Sequence, residues 1–298
     1  MSDSIIRVEQ LGKRFGRVAA ISDLSFDVPP GAVFALAGPS GAGKTTAIKT
    51  LLNIHRPSTG KATVLGVDSR RIGPAELQQI GYVSEGQDLP DWMRVDQFFE
   101  YCRNFYPTWD DTNLAALVEM YQLPLNRPLK SLSRGMRMKA ALASALAYQP
   151  RLLLLDEPFT ALDVLVRDQL IESILERLPE LTVVLASHDL AEIESFASHV
   201  CYINDGRVLF TEEMHDLTGR FRDVEIQVDS SAGGALTPSP EWLGFERTES
   251  MIHFVDSQFD RGSSESALRD RIPGIRAVEV RPMPLRSIFV ALAKGGGR

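Results

Sequence analysis

Short apolar runs separated by amphipathic stretches dominate the middle of the chain. Residues 32–37, 152–155 and 182–186 are continuous apolar runs of strand length. The segments 47–52 and 164–178, which follow the first two runs, have the composition of helices. Because strands that are buried on both faces are typical of parallel sheets, this alternation predicts an α/β core with a mostly parallel sheet.

Two other regions depart from that pattern. Residues 6–9 and 20–28 alternate apolar and polar side chains, which predicts an antiparallel β subdomain ahead of the core. Residues 88–148 carry apolar side chains at helical spacing instead, for example Val95 and Phe98. We therefore predict a helical subdomain inserted between strands at 88–148.

The pattern weakens after residue 217. We predict an exposed loop at 229–240 and helices at 264–271 and 285–293, among short strands that hold few apolar residues. The predicted domains are 1–217, which holds the parallel sheet, and 218–298, a small α+β C-terminal accessory domain.

Composition narrows the class of protein. The chain has 298 residues, 44% hydrophobic and 24% charged, with a net charge of -7, which argues against a nucleic-acid partner. Cys102 and Cys201 lack metal-ligand spacing, so we expect reduced structural thiols. The start resembles no signal peptide, and no apolar run approaches the ~20 residues of a membrane span. We expect a soluble cytoplasmic chain that reaches a membrane only by docking onto another protein.

A phosphate-binding loop is the strongest chemical signal. It lies between the first apolar run and the following helix, where glycines let backbone N–H groups surround phosphate oxygens. Its lysine is expected to reach the β- and γ-phosphates, and the next threonine to ligate Mg²⁺. A glycine-rich turn without a ligand is disfavoured because the spacing and both flanks match. The loop comprises Gly38, Pro39, Ser40, Gly41, Ala42, Gly43, Lys44, Thr45 and Thr46.

Acidic and imidazole side chains follow the next two apolar runs. Asp156 is expected to hold Mg²⁺, and Glu157, pointing the other way on an extended chain, to accept a proton from the attacking water. His188 follows residues 182–186 and is expected to hydrogen-bond the γ-phosphate. Taken alone, an acidic residue or a histidine at the end of a strand is often structural. Their order after a phosphate loop favours catalysis.

Ser133 begins a long helix and offers a second anion site. Its hydroxyl and the free N–H groups of the helix start suit a phosphate, yet one chain already has a phosphate loop. Two interpretations remain: a plain helix cap, or a half-site that completes the pocket of a second copy.

These motifs together resemble the ATP-binding subunit of an ABC transporter, a P-loop NTPase fold, over about residues 4–215. The segments that carry the resemblance are the phosphate loop, the Leu-Ser-x-Gly signature at 132–135, residues 152–158, Ala161-Leu162-Asp163 and Ser187-His188. The stretches 105–110 and 132–139 also resemble a bacterial subgroup that serves ABC-2-type exporter permeases.

The resemblance implies an ATPase that drives export through separate membrane permeases. These permeases would hold the ATPase at the inner face of the membrane. Two such chains, in a homodimer or a heterodimer, would hold two molecules of ATP head to tail. Phe15 would stack on adenine, Ser133 and Gly135 would act on the partner's ATP, and Asp163 would make contacts across the dimer. Gly86–Met93, with Trp92, is the predicted dock for a permease helix.

Two departures from the family pattern stand out. The signature has Arg134 and Met136 where the family usually has Gly and Gln, and position 85 has Glu where the family usually has Gln. Glu85 still offers an oxygen to Mg²⁺ but adds negative charge near the triphosphate, and Gln87 is an alternative if the loop shifts.

The remaining alternatives for function are a soluble ABC-type ATPase acting on ribosomes or DNA, and a GTP switch or small kinase.

Overall fold

The computed structural model describes residues 4–160, 162–229, 237–260, 268–269, 271–272 and 274–295. The chain divides into two compact units, Met1–Thr211 and Glu212–Arg298. The predicted boundary after residue 217 would cut the helix Met214–Arg220. That helix buries Met214 and Leu217 as one segment, so the division precedes it.

The described strands form three sheets. Within the described residues they are β1 (Ile6–Phe15), β2 (Val18–Val28), β3 (Val33–Ala37), β4 (Thr59–Val64), β5 (Val67–Asp68), β6 (Ile80–Ser84), β7 (Leu152–Asp156), β8 (Thr182–Ser187), β9 (His199–Asn204), β10 (Arg207–Glu213), β11 (Arg222–Val228), β12 (Trp242–Arg247), β13 (Met251–Asp256) and β14 (Ile275–Pro282).

The helices cover the sheets and form the inserted block. They are α1 (Lys44–Leu51), α2 (Pro74–Leu77), α3 (Val95–Arg103), α4 (Asp111–Tyr121), α5 (Arg134–Leu146), α6 (Val164–Leu175), α7 (Leu190–Phe196), α8 (Met214–Arg220) and α9 (Leu285–Gly295). No helix among these described segments is both long and apolar enough to cross a bilayer.

The central sheet of the first unit has the strand order β10-β9-β3-β8-β7-β6. β3 pairs in parallel with β8 and β9, and β7 pairs in parallel with β6 and β8. Every residue of β3, β7 and β8 is buried, as the continuous apolar runs predicted. Parallel pairing brings the carboxyl ends of these strands to one edge, where the phosphate loop also begins.

An antiparallel sheet and a helical block flank this core. The antiparallel sheet has the order β2-β1-β4-β5, which confirms the predicted β subdomain. The block contains α3, α4 and α5, of which α4 begins after Asp110, whose side chain accepts hydrogen bonds from the N–H groups of Thr112 and Asn113. The predicted α/β fold with both additions is therefore confirmed.

The second unit is an antiparallel sheet of order β12-β13-β11-β14 with helices, as the α+β prediction requires. Its core includes Trp242, Phe254 and Ile226. The predicted terminal helix is α9. The predicted helix at 264–271 and the middle of the predicted loop at 229–240 lie largely outside the described residues.

Candidate functional site

The loop between β3 and α1 contains two glycines, Gly38 and Gly43, whose positions leave no room for a side chain. Gly38 and Gly43 have φ of 154° and 104°, values that L side chains rarely adopt. A Cβ at Gly38 would lie 2.1 Å from the Ile203 carbonyl oxygen, and one at Gly43 would lie 2.5 Å from Ile21 Cγ2. The loop therefore packs tightly against the core on one side and turns its backbone toward the cavity on the other.

Lys44 is the first residue of α1, and its side chain is buried. Its Nζ donates to the carbonyl oxygens of Gly38, at 2.8 Å, and Pro39, at 3.2 Å. The same ammonium lies 3.2 Å from Glu157 Oε1, and the two side chains are only 5% and 18% exposed. A cation is thus held at the centre of the loop, with a carboxylate as its partner.

Thr45 and Asp156 form a second contact at the edge of the sheet. The Thr45 hydroxyl donates to Asp156 Oδ1 at 2.8 Å. Burial raises the pKa of Asp156, and the hydrogen bond from Thr45 offsets part of that rise. Both side chains present hard oxygens, the donor type that Mg²⁺ prefers. No group of three or more His, Cys, Asp or Glu side chains suited to a metal occurs in the described part of the chain. A magnesium ion here would also take oxygens from phosphate and water, its usual arrangement in such sites.

Glu157 lies where the backbone turns sharply after β7. Its φ is 52°, in the left-handed region, so the expected extended chain at this position was wrong. The Glu157 N–H donates to the Ala186 carbonyl oxygen at 2.9 Å, which fixes the turn against β8. A left-handed conformation in a residue other than glycine costs about 1–2 kcal/mol and is typical of functional sites. The turn aims the Glu157 side chain into the cavity.

His188 completes a short chain of contacts with Glu157. His188 Nδ1 lies 2.8 Å from Glu157 Oε2, within hydrogen-bond distance. The Thr160 hydroxyl lies 3.5 Å from the same oxygen, a contact that the sequence did not reveal. Lys44, Glu157 and His188 are thus connected in one row across the ends of α1, β7 and β8. This arrangement suits proton transfer or the positioning of a water beside a phosphate.

The cavity above the loop has a volume of about 310 Å³. Its lining contains most of the residues predicted from the motifs, together with one that was missed, Ala20 of β2. The complete lining is Ala20, Ser40, Gly41, Gly43, Lys44, Thr45, Thr46, Glu85, Glu157 and His188. Ala20 carries no chemical signal in the sequence, and only the close approach of its carbonyl group to Gly43 places it here.

Eight predicted residues are not part of this lining. Gly38 and Pro39 accept hydrogen bonds from Lys44, Asp156 accepts one from Thr45, and Ala42 lies in the same loop. The other four were predicted from the resemblance. The Phe15 ring is 45% exposed and lies edge-on to His55, with ring centroids 5.1 Å apart. Ser133 caps α5, where its Oγ accepts from the Met136 N–H at 3.3 Å, and Gly135 lies one residue into that helix. Asp163 caps α6 in the same manner. Ser133 and Gly135 of the signature therefore do not line the phosphate cavity of their own chain, and Ala161 lies outside the described residues.

Glu85 lines the cavity, but its carboxylate already has a partner. It forms an ion pair with the guanidinium of Arg134, the first residue of α5. The sequence marked both positions as unusual without connecting them. Gln87, the suggested alternative to Glu85, accepts from the Ser84 N–H and lines a different groove.

Comparisons with known proteins find relatives in both sequence and fold. The family model described as "ABC transporter" matches residues 21–160. The Nod factor export ATP-binding protein I of Cupriavidus pinatubonensis is 32% identical over 253 residues, which cover 80% of this chain and 77% of that protein. The sulfate/thiosulfate import ATP-binding protein of Burkholderia mallei is 36% identical over 215 residues.

The length of each match differs. The import protein is matched over 68% of this chain, which spans only 61% of that relative. A solved ATP-binding subunit of an ABC transporter shares the fold, with a TM-score of 0.68 and 24% identity, over 72% of this chain and 92% of that structure. The resemblance first seen in the motifs is confirmed at the level of the family. The chain belongs to the ABC transporter family.

Proposed function

We propose that this chain uses ATP hydrolysis to power export through separate membrane permease subunits. The observation that carries the proposal is the row of Lys44, Glu157 and His188, which lies beside a complete phosphate loop. This row supports hydrolysis because it holds a carboxylate where it can accept a proton from a water beside the phosphate, and the left-handed backbone at Glu157 is typical of functional sites.

The residues of the site divide the work of hydrolysis. The triphosphate lies in the loop 38–46, and its oxygens take over contacts that Lys44 now makes with Gly38 and Pro39. Glu157 accepts the proton of the attacking water, and His188 holds Glu157 and the γ-phosphate in register. Thr45 and Asp156, with Glu85 at the cavity edge, would hold Mg²⁺, which supplies charge neutralisation of the phosphates when bound.

A second chain completes each site in this proposal, as a homodimer or a heterodimer. Ser133 is exposed and lies outside the phosphate cavity of its own chain, although its helix start suits an anion. Beside Asp163, Val164 and Leu165 are 58% and 77% exposed, which is unusual for large apolar side chains unless a partner covers them. Ser133 and Gly135 would thus contact the partner's ATP, Asp163 would lie at the interface, and Phe15 would stack on adenine.

Export is proposed because the match to an export protein covers more of the chain than the matches to two import proteins, which cover 68% and 74%. The similarity to the Nod factor export protein covers 80% of the chain, more than the 211 residues of the first unit provide. It therefore includes part of the second unit. A permease of the ABC-2 type is the proposed partner, and it would hold the chain at the inner face of the membrane.

The proposed permease dock is the segment Gly86–Met93 and the groove beside it. Trp92 is 75% exposed. The adjoining groove has a volume of about 340 Å³ and contains apolar side chains of the core and the helical block, among them Ile54, Leu77 and Phe98. Gln87 of the same segment lines this groove, and an apolar groove suits a short amphipathic helix.

The test is to isolate the chain from membranes of its own cell in mild detergent. We expect a polytopic membrane protein to co-purify with it, and Trp92→Ala to weaken that association while MgATP binding by the purified chain stays unchanged. Hydrolysis should be measured on the same complex. Recovery with ribosomes or DNA and without a membrane protein would contradict the proposal.

A further inference from the structure

The ion pair between Glu85 and Arg134 joins two of the three positions at which this chain departs from the family pattern. Glu85 follows β6, and its N–H donates to the Asp156 carbonyl oxygen at 3.0 Å. Its backbone is therefore attached to the strand end that carries Asp156 and Glu157. Arg134 lies between Ser133 and Gly135 at the start of α5. One ion pair thus connects the phosphate cavity to the signature of the same chain.

A second ion pair reinforces the first. Arg137 lies three residues after Arg134, on the same side of α5, and pairs with Asp91. It also donates to the Leu129 carbonyl oxygen at 3.2 Å. The loop after β6 is consequently held to α5 at Glu85 and again at Asp91.

The charge at Glu85 needs a counter-ion whenever ATP is near. A free carboxylate at the edge of the cavity would repel the triphosphate, since both are anionic. The pair with Arg134 is partly exposed, at 48% for Arg134 and 36% for Glu85, so it contributes little to the stability of the fold. Its consequence is therefore electrostatic: Arg134 neutralises the extra negative charge that this chain carries at the site.

We propose that Arg134 is a positioning residue for Glu85, and that Arg134 and Mg²⁺ are alternative counter-ions for its carboxylate. While Arg134 holds Glu85, ATP meets a neutralised cavity edge. When the Glu85 carboxylate contacts Mg²⁺ instead, it releases Arg134. Arg134 lies in the signature that this chain presents to a partner. The inference rests on the proposed function, because it assumes that the cavity binds MgATP.

A double-mutant cycle tests the pairing through binding, without turnover. The parent is Glu157→Gln, and the variants add Arg134→Ala, Glu85→Gln, or both. The affinity for ATP is measured by calorimetry, in EDTA and again in excess Mg²⁺. In EDTA, Arg134→Ala should weaken ATP binding about tenfold, because Glu85 loses its counter-ion. Excess Mg²⁺ should restore the affinity for ATP, and adding Glu85→Gln to Arg134→Ala should restore it as well.

Two single substitutions serve as controls, which show that a change in affinity does not come from a loss of folding. Glu85→Gln alone leaves Arg134 as an uncompensated cation, so ATP binding in EDTA should tighten about threefold. Arg7→Ala breaks a comparably exposed ion pair with Asp27, on the antiparallel sheet, and should change the affinity less than twofold. Thermal unfolding of every variant confirms that each is folded.

The outcomes separate cleanly. If Arg134→Ala weakens binding by the same factor in the parent and in the variant that already carries Glu85→Gln, Arg134 acts without Glu85 and the pairing is overturned. Weaker binding by Glu85→Gln alone also overturns it. A parent chain that binds no ATP in either condition contradicts the proposed function, and this inference with it.

Discussion

The phosphate-loop half and the signature half of the first unit are built in opposite ways. Lys44 is buried and has three polar contacts, with Gly38, Pro39 and Glu157. Ser133 is exposed, and its hydroxyl makes one contact, the cap of α5. The first half is therefore a preorganised chemical site, whereas the second is a surface whose proposed ligand comes from another chain. Substitutions in the two halves should therefore impair different steps of ATP binding and turnover.

The largest effect is expected in the preorganised half. Glu157→Gln keeps the size and shape of the side chain but replaces one acceptor oxygen with an NH₂ group and removes the base, so turnover should fall about 10²–10⁴-fold. Because the phosphate loop is untouched, the variant should still bind MgATP and form ATP-bound dimers. Phosphate release measures the first effect, and sedimentation velocity measures the second. Undiminished hydrolysis would remove Glu157 from its role.

A mixing experiment separates the halves directly. Lys44→Ala should abolish ATP binding, because it removes the cation of the loop, whereas Ser133→Arg should abolish turnover and leave binding to the single chain unchanged. In a homodimer, each variant alone is inactive. Mixed dimers contain one site with an intact Lys44 from one chain and an intact Ser133 from the other, so turnover should reappear.

The control for mixing is physical exchange of chains. Mixed dimers are isolated through two different affinity tags before the assay. If purified mixed dimers show no turnover at all, the two halves do not form a shared site, and the contrast between them has another origin.

The two halves also differ in how far the sequence predicted them. The phosphate loop was predicted residue by residue, because its glycines, lysine and flanking elements are consecutive in the chain and its geometry is local. Asp156 and His188 were placed correctly because parallel strands end at a common edge. The left-handed turn at Glu157 was missed, since a φ of 52° in a glutamate has no local signal.

The pairing of Glu85 with Arg134 lay beyond the sequence for a different reason. The two residues are 49 positions apart, and only the packing of the helical block against β6 brings them together. The strand β12 was also missed, because Gly244 adopts a φ of 62° and the register shifts between Leu243 and Glu246, so the alternation of apolar residues is broken. Long-range contacts and irregular strands depend on the assembled fold.

A smaller effect concerns stability in the preorganised half. Because burial raises the pKa of Asp156, its ionised form destabilises the folded chain above that pKa, and the cost disappears as the pH falls below the unfolded value. Asp156→Asn keeps the acceptor for Thr45. At neutral pH, it should raise the free energy of unfolding and weaken Mg²⁺-dependent ATP binding.

Urea unfolding at several values of pH measures this effect. The gain from Asp156→Asn should shrink as the pH is lowered, because the parent carboxyl becomes protonated. A gain that stays constant over the acid range would show that charge burial is not its source.

The smallest effect belongs to the signature half. Ser133→Ala removes the cap of α5 and should lower the free energy of unfolding by about 1 kcal/mol, whereas Ser133→Gly should cost only a few tenths. Both variants lose the hydroxyl that is proposed to meet the partner's phosphate. If that contact matters, both should lose turnover to a similar degree despite their different stabilities. Turnover that instead follows the unfolding free energy would reduce Ser133 to a helix cap, and the two halves would no longer differ in kind.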